Sequence, residues 1–177
     1  MAGVRGGIYV VADLRGDAAE RVREIQRRYD PKLAATAPPH VTLTGSSGLG
    51  PIDPSTTEAE LRRALEPVTR DTAPLVVRFG APVHFMQTTF IVLPIDPHGP
   101  IREFHDRLGR SGLRFLGVRH TFTPHASLSL YPELPREKVR ALMAERVEGD
   151  VALDAIQVYR SMDPMKPRLL MELGLGG

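Results

Sequence analysis

The chain has 177 residues, of which 42% are hydrophobic and 25% charged, and its formal net charge at pH 7 is +2. This length and composition are typical of one globular domain, and the small charge argues against a large non-specific nucleic-acid footprint while allowing a local phosphate pocket. The absence of cysteine excludes disulfides, thiolate nucleophiles and cysteine-based zinc sites. No stretch approaches the roughly 18 apolar residues that a membrane span needs, so we expect a cytoplasmic protein that acts without a membrane.

The first half of the chain alternates strands and helices. β-branched and aromatic residues predict a first strand, and apolar residues at helical spacing predict a helix that Asp30-Pro31 should end. The stretch Ser55-Thr56-Thr57-Glu58 is typical of a capping box at the start of a second helix, which Pro67 should end. The predicted elements are a strand at 7–13, a helix at 17–29, a strand at 40–45, a helix at about 55–66 and a strand at 75–79.

The second half repeats this order. Its predicted elements are a strand at 88–95, a helix from 99, a strand from 125 to about 131, a helix from 135, and strands at 151–159 and 168–173. In each half a proline precedes the second strand. The shared order indicates an internal duplication with approximate two-fold symmetry, its halves lying at about residues 7–80 and 82–173.

Alternating strands and helices would also fit a parallel, doubly wound sheet. No glycine-rich turn follows the first strand, however, and no phosphate-binding loop of the Gly-x-x-x-x-Gly-Lys type occurs. Residues 81–92 are typical of an antiparallel hairpin. We therefore predict an α+β fold with two pseudo-symmetric lobes, forming a single domain over residues 1–177.

One short motif occurs twice. It reads Pro39-His40-Val41-Thr42-Leu43 in the first half and Pro124-His125-Ala126-Ser127-Leu128 in the second. If both copies are strands, alternation puts the histidine and the hydroxyl residue of each copy on one face and the two apolar residues on the other. The pattern predicts a site with two imidazoles and two hydroxyls. The alternative is that both histidines are structural residues at the starts of strands.

Paired histidines suit a reaction that needs both an acid and a base, because an imidazole has a pKa near 6.5 and can play either role at neutral pH. His40 and His125 are therefore the predicted catalytic residues. Thr42 and Ser127 can donate hydrogen bonds to the oxygens of a bound substrate and stabilise negative charge that grows on them. The sequence alone does not distinguish which of the two histidines is the acid and which is the base.

Three further residues are candidates for substrate contacts. Arg119, six residues before His125, could reach a phosphate, although a surface position explains it more simply. Tyr9 and Tyr131 lie near or on predicted strands and could stack on a base, and a core or rim position explains them equally well. The remaining histidines lack the motif and are predicted to be structural or solvated: His84, His98, His105 and His120. No cluster of ligand spacing indicates a metal, so we expect neither metal nor cofactor.

The two motifs resemble the signature of the 2H phosphoesterase superfamily, and they are most similar to its branch of 2′-5′ RNA ligase-like proteins and RNA 2′,3′-cyclic phosphodiesterases. The run Phe122-Thr123-Pro124-His125 is similar to the family's lead-in to its second motif, and the duplicated plan covers about residues 7–173. Ala126 and Ser127 depart from the larger apolar residue and the threonine that are more usual there, but both keep the chemistry of the pattern. The resemblance implies lobes that each have a largely antiparallel sheet and outer helices, around a central cleft holding both histidines.

The resemblance also implies an activity. This is the metal-independent hydrolysis of 2′,3′-cyclic phosphates, on RNA 3′ ends or small cyclic nucleotides, to 2′-phosphates, with His40 as proton donor and His125 as proton acceptor. Two alternatives remain open: cleavage or ligation of a 2′-5′ phosphodiester at the same site, and a non-catalytic nucleotide or RNA-end binding module. We expect a monomer without an obligate protein partner, whose substrate choice depends on loops such as 46–54 and 110–120.

Overall fold

The computed structural model describes residues 6–176. Within this range the chain forms nine strands and five helices. The strands are β1 (Ile8–Asp13), β2 (His40–Thr44), β3 (Leu75–Val77), β4 (Val83–His84), β5 (Ile91–Pro94), β6 (His125–Ser129), β7 (Val151–Leu153), β8 (Ala155–Met162) and β9 (Met165–Gly174). The helices are α1 (Gly16–Tyr29), α2 (Pro31–Thr36), α3 (Glu58–Arg70), α4 (Pro100–Gly109) and α5 (Arg136–Met143).

Seven strands form one antiparallel sheet in the order β4-β5-β6-β2-β1-β8-β9, and β3 pairs with β7 in a separate two-stranded sheet. The prediction of an α+β fold with largely antiparallel strands and helices is confirmed, as is the hairpin near residue 90, which β4 and β5 form. β2 and β6 are neighbours, and β5 flanks β6 as β1 flanks β2. This strand order is consistent with the predicted two-fold relation.

Strands from both halves meet in both sheets. β8, from the second half, pairs with β1 and carries β9 beside it at the edge of the large sheet. In the small sheet β3 of the first half pairs with β7 of the second, from Leu75–Leu153 to Val77–Val151. The two halves are therefore interleaved in both sheets, and a single domain with two halves divided near residue 81 stays a prediction.

The large sheet packs one face into the core. Apolar side chains there alternate along the three central strands, at Ile8, Val10 and Ala12 in β1, Val41 and Leu43 in β2, and Ala126 and Leu128 in β6. Helices α1, α3 and α4 add Val22, Ile25, Leu61, Leu65, Phe104 and Leu108 to the same cluster. Because strand side chains alternate between faces, burial of these residues leaves the polar residues of both motifs on the opposite face.

The predicted first helix ends at Tyr29 as expected, but a second helix, α2, begins directly after it and was not predicted. Asp30 explains the restart, because its carboxylate accepts a hydrogen bond from the Leu33 N–H at 3.0 Å and caps the new helix. Pro31 then occupies the first helical turn, where its missing N–H costs no helical hydrogen bond.

The predicted bounds of the second helix were wrong at both ends. Its capping box is formed by Thr57 and Glu60: the Glu60 N–H donates to the Thr57 hydroxyl at 3.2 Å, and the Thr57 N–H donates to the Glu60 carboxylate at 2.7 Å. The helix also continues past Pro67 to Arg70. Buried Thr69 packs in the turn beyond the proline, so tertiary contacts outweigh the lost hydrogen bond.

Several strand boundaries also differ from the prediction; among them, β3 ends at Val77 and β6 at Ser129, each about two residues early. The predicted strand at 151–159 is divided at Asp154 into β7 and β8, which belong to different sheets. The strand expected from residue 88 starts at Ile91, because residues 85–90 form a turn in which the Phe85 N–H donates to the Phe90 carbonyl. The last strand begins at Met165, three residues earlier than predicted.

Candidate active site

The two motifs lie side by side in the large sheet. β2 and β6 are antiparallel and pair at Val41 and Ala126. The next positions in the same register set each histidine opposite the hydroxyl residue of the other motif. These four side chains share the face of the sheet opposite to buried Val41 and Ala126. We call this surface the histidine face, and it is defined by His40, Thr42, His125 and Ser127.

Both imidazoles are held by the same kind of hydrogen bond, from Nδ1 to a backbone carbonyl oxygen. Nδ1 of His40 lies 2.8 Å from the Pro38 carbonyl oxygen, and Nδ1 of His125 lies 2.7 Å from the Thr123 carbonyl oxygen. A carbonyl oxygen only accepts hydrogen bonds, so Nδ1 carries a proton in each ring and Nε2 is the nitrogen that can exchange one. Within residues 6–176 neither Nε2 atom has a hydrogen-bond partner. Each ring is thus fixed in the tautomer that an acid–base role at Nε2 requires.

The two histidines differ in burial. The His125 residue is 8% exposed, whereas His40 is only half-buried. Burial lowers the pKa of the His125 imidazole; the hydrogen bond to the Thr123 carbonyl opposes this shift, and the neighbouring His40 adds to it. The Phe85 ring covers His125, with 4.4 Å between ring centroids. His125 therefore favours the neutral form, which is the form of a general base.

The hydroxyls of the two motifs are half-buried on the histidine face. In the described part of the chain, neither the Thr42 nor the Ser127 hydroxyl donates to another protein group, so both can turn towards a bound oxygen. The main chain at this point is fixed independently, since the Gln26 side chain on α1 donates to the Ser127 carbonyl at 2.9 Å. Rigid strands therefore present two mobile O–H donors.

Two neighbours of the histidines, Asp13 and Phe85, were not predicted from the sequence. The β1–β2 register sets Asp13 opposite His40, and Phe85 lies against His125. Burial raises the pKa of the Asp13 carboxyl, while the nearby His40 opposes that shift. Both neighbours depend on strand pairing or on a turn far along the chain, and no local pattern in the sequence indicates either.

The three further candidates lie in different places. Tyr9 is on the same face of β1 as the motifs, and its ring lies so close to Gly45 that a Cβ there would be 2.2 Å from the tyrosine Cδ1. Tyr131 is exposed beyond the end of β6, with Nζ of Lys32 4.4 Å above its ring. Arg119 is exposed in the segment that leads to β6. Their roles as substrate contacts stay predictions.

Among the remaining histidines, His105 has a structural role. Its Nε2 accepts a hydrogen bond from the Leu49 N–H at 3.0 Å, and its ring stacks on Phe122 with 3.9 Å between centroids. Burial lowers the pKa of this imidazole, and Asp106 opposes the shift. The others are exposed: His84, His98 and His120.

The two loops that were expected to govern substrate choice are hydrogen-bonded to each other. The Asp53 N–H donates to the Arg114 carbonyl at 2.9 Å, and the Leu116 N–H donates to the Pro51 carbonyl at 2.8 Å. Nearer to β6, the Gly48 N–H donates to the His120 carbonyl at 2.8 Å. We call the two segments 47–53 and 114–123 the paired loops. The first follows β2 and the second leads into β6, so they border the histidine face.

The described residues offer neither a cluster of metal ligands nor a helix that could span a membrane. Residues 6–176 contain no group of three or more histidine, aspartate or glutamate side chains that could hold a metal ion. None of the helices in that range has the length and apolar character needed to cross a membrane. A surface groove of about 470 Å³ lies between α3 and residues 111–114, and no residue of the histidine face lines it.

The sequence and the fold define a family. The sequence profile of the 2′-5′ RNA ligase superfamily matches residues 14–163, most of the chain. The protein belongs to this superfamily, the group of 2H phosphoesterases and 2′-5′ RNA ligase-like proteins that the two motifs resemble. The predicted family is thereby confirmed. No curated protein matches the chain significantly.

Solved structures with the same fold are similar over nearly the whole chain. E. coli LigT complexed with 3′-AMP is 14% identical, with a TM-score of 0.60 over 97% of this chain and 98% of LigT. TT0787 of Thermus thermophilus is 13% identical, with a TM-score of 0.64 over 97% of this chain and 98% of that one. LigT has also been crystallised with NADP+, with ATP and with phosphate. At these identities the likeness shows a shared fold.

Proposed function

We propose that this protein is a metal-independent phosphodiesterase that hydrolyses 2′,3′-cyclic phosphates, on RNA ends or nucleotides, to 2′-phosphates. The observation that carries the proposal is the arrangement of His40 and His125. They stand on adjacent antiparallel strands, and each lies opposite a hydroxyl residue. Each ring is fixed by a hydrogen bond from Nδ1 to a backbone carbonyl, which leaves Nε2 available for proton transfer. Membership of the 2′-5′ RNA ligase superfamily supports chemistry on an RNA phosphodiester.

In the proposed mechanism the cyclic phosphate lies between the two Nε2 atoms. Neutral His125 takes a proton from water at Nε2 as the water oxygen attacks phosphorus. The bond between phosphorus and O3′ breaks, and the Nε2 proton of charged His40 passes to the departing O3′. One water is consumed, the 2′-phosphate remains on the ribose, and proton exchange with solvent restores both rings. General acid–base catalysis of this kind contributes about 10²–10⁴-fold per group.

The hydroxyls complete the proposed site. Charge on the two non-bridging phosphate oxygens grows as water attacks, and donors carried on rigid strands stabilise it more in the transition state than in the bound substrate. Thr42 and Ser127 are the donors on the same face as the imidazoles. A nucleotide-sized ligand is supported by LigT, a protein of the same fold that has been crystallised with 3′-AMP and with phosphate.

The test is a panel of 2′,3′-cyclic nucleotides and short RNAs with cyclic phosphate ends, incubated with EDTA and followed by ³¹P NMR. We expect turnover to 2′-phosphates without added metal. His40→Ala and His125→Ala should each lower kcat by at least about 10²-fold, and the exposed control His98→Ala should not. A strict need for a divalent metal, or a mild effect from both motif variants, would contradict the proposed mechanism.

A second activity is favoured by the family itself, which is described as a 2′-5′ RNA ligase superfamily. The same two histidines could cleave or form a 2′-5′ phosphodiester, with their roles as acid and base exchanged between the two directions. Incubation with 2′-5′ oligoadenylate separates this activity from cyclic phosphate hydrolysis. Binding of a 2′- or 3′-nucleotide without turnover of any of these substrates would instead favour a non-catalytic binding module.

A further inference from the structure

The two histidines occupy related positions but have unlike partners across the strand pair. The β1–β2 register sets Asp13 opposite His40, whereas the β5–β6 register sets Pro94 opposite His125. β1 and β5 are the strands that flank the central pair, so these two partners are in equivalent places. A carboxylate therefore stands beside one imidazole, and an apolar ring stands beside the other.

The Asp13 carboxyl is held in a sheltered position. Its Oδ1 atom is buried and has no hydrogen-bond partner among residues 6–176. The main chain at Asp13 is fixed from β8, where the Gln157 side-chain oxygen accepts from the Asp13 N–H at 2.7 Å. Gln157 is fixed in turn, because its amide donates to the Glu172 carboxylate at 2.7 Å. A sheltered carboxylate with few donors of its own gains from any positive charge nearby.

Asp13 acts on His40 through space. Nδ1 of His40 is already bonded to the Pro38 carbonyl, and Asp13 and His40 form no direct hydrogen bond. Side chains directly opposite on antiparallel strands have Cβ atoms about 4.5–5.5 Å apart, a distance at which unit charges interact appreciably outside bulk water. Asp13 therefore leaves Nε2 of His40 free while favouring the charged ring.

Other charged or titratable groups surround the pair. The Tyr159 hydroxyl on β8 favours the charged form of Asp13, Glu172 on β9 adds a second negative charge, and His125 on β6 faces His40 from the other side. Arg15 is the nearby cation: it favours the charged form of Asp13, while its ion pairs are with Asp154 at 3.1 Å and with Glu172 at 3.2 Å. Asp13 is therefore the carboxylate beside His40 that forms no ion pair with an arginine or lysine among the described residues.

We propose that Asp13 is a positioning residue whose carboxylate stabilises positive charge on the His40 ring, so that His40 serves as the acid and His125, beneath Phe85, serves as the base. The catalytic meaning of this assignment rests on the proposed function. The coupling between the carboxylate and the imidazole does not, because it is a property of the folded protein without any substrate. The two motifs are nearly identical in sequence, so the difference between the two histidines comes from their neighbours in the fold.

The experiment that tests the coupling is an NMR titration of the histidine rings in the wild type, in Asp13→Asn and in Asp150→Asn. Asparagine has the shape of aspartate, so the first variant removes only the charge. Asp150 is an exposed carboxylate paired with Arg78, and its variant controls for the change in net charge. We expect Asp13→Asn to move the His40 transition to lower pH and Asp150→Asn to leave it where it is in the wild type. An unchanged His40 pKa in Asp13→Asn overturns the proposal.

Kinetics then link the coupling to catalysis. In Asp13→Asn the basic limb of the kcat/KM–pH profile, which reports the acid of the free enzyme, should move to lower pH together with the His40 transition seen by NMR, with KM at the pH optimum retained. A uniform loss of kcat at every pH with an unmoved limb would mean a structural role and overturns the proposal. If no substrate turns over in the wild type, the proposed function fails while the NMR titration still decides the role of Asp13.

The wild type supplies a second measurement in case Asp13→Asn does not fold. The ¹³C shift of the Asp13 carboxyl should move as His40 titrates, because each charge stabilises the other. A carboxyl signal that is insensitive to the His40 transition overturns the proposal without any variant.

Discussion

At the scale of single residues, the proline before each motif histidine has a specific consequence. Proline fixes its own φ and restricts the preceding residue to extended conformations. The carbonyl two residues before each histidine, from Pro38 or from Thr123, thereby meets Nδ1 of the ring. Both copies of the motif thus select the same ring nitrogen for chemistry, which a bare pair of histidines would not do.

The hydroxyls can be tested separately from the rings. Thr42→Val and Ser127→Ala remove one donor each and should lower kcat by about 10²-fold, the typical cost of losing one donor to a developing oxyanion. The matched control is Thr44→Val, two residues along the same strand, where the hydroxyl is fully buried without a hydrogen-bond partner in residues 6–176. Steady-state kinetics on a 2′,3′-cyclic nucleotide should show near wild-type turnover for that control. An equal loss in all three variants would indicate a packing effect.

Burial of two histidines makes stability depend on pH. The pKa values of His125 and His105 are both lowered by burial in the folded state. The unfolded chain therefore binds more protons as the pH falls below about 6.5, and the free energy of unfolding should decrease from there down through the folded-state pKa values. Each histidine contributes about 1.4 kcal/mol for every unit by which its pKa is lowered.

Urea unfolding between pH 7.5 and 5 measures this effect. The double variant His105→Gln and His125→Asn retains hydrogen-bonding groups but cannot titrate, so its stability should vary less over that range than that of the wild type. The exposed His98→Ala serves as the control and should keep the wild-type slope. Equal slopes for the wild type and the double variant would show that neither buried histidine is linked to unfolding in this window.

At the scale of secondary structure, local patterns were enough to predict most elements and not enough to place their ends. Ser55, Thr56 and Thr57 are all residue types that can cap a helix, and the predicted capping box of Ser55 and Glu58 uses the first of them. The fold decides between them, because the Ser55 N–H and hydroxyl both donate to the Asp53 carboxylate, at 2.8 Å and 2.6 Å. Ser55 is occupied in that turn, which leaves Thr57 as the cap.

The cap is directly testable. Thr57→Ala removes the hydroxyl that accepts from the Glu60 N–H, and the loss of a threonine N-cap costs about 1 kcal/mol of unfolding free energy. Thr56→Ala is the control, since the neighbouring threonine side chain makes no capping bond. Thermal or urea unfolding should separate the two variants by about that amount. A larger effect from Thr56→Ala would mean that the helix is capped one residue earlier than the structure shows.

At the scale of the whole molecule, the sequence predicted which residues share the site and not which strands surround them. Strand alternation was sufficient to put both histidines and both hydroxyls on one face. The pairing of β8 with β1 joins segments about 150 residues apart, as does the contact that sets Asp13 beside Gln157. Such pairings depend on the packing of the entire sheet, so no window of sequence contains them.

The paired loops, which join the two halves beside the histidine face, provide the test at this scale. Gly50 approaches its partner so closely that a Cβ there would lie 1.9 Å from the Leu116 carbonyl oxygen, a backbone atom that cannot rotate away. Gly50→Ala should therefore push the loops apart and cost about 2 kcal/mol of unfolding free energy. Gly117, in the opposite loop, has open space around its Cβ position and does not adopt a left-handed conformation. Gly117→Ala should be neutral or slightly stabilising, by up to about 1 kcal/mol.

Urea unfolding of the two alanine variants measures the difference in stability, and kinetics below the unfolding transition measure the consequence for substrate. Because the paired loops border the histidine face without supplying its imidazoles, Gly50→Ala should raise KM more than it lowers kcat, while Gly117→Ala leaves both unchanged. A loss of kcat alone in Gly50→Ala would mean that the loops act on the chemical step. Equal stability of the two variants would mean that the close approach at Gly50 does not hold the loops together in solution.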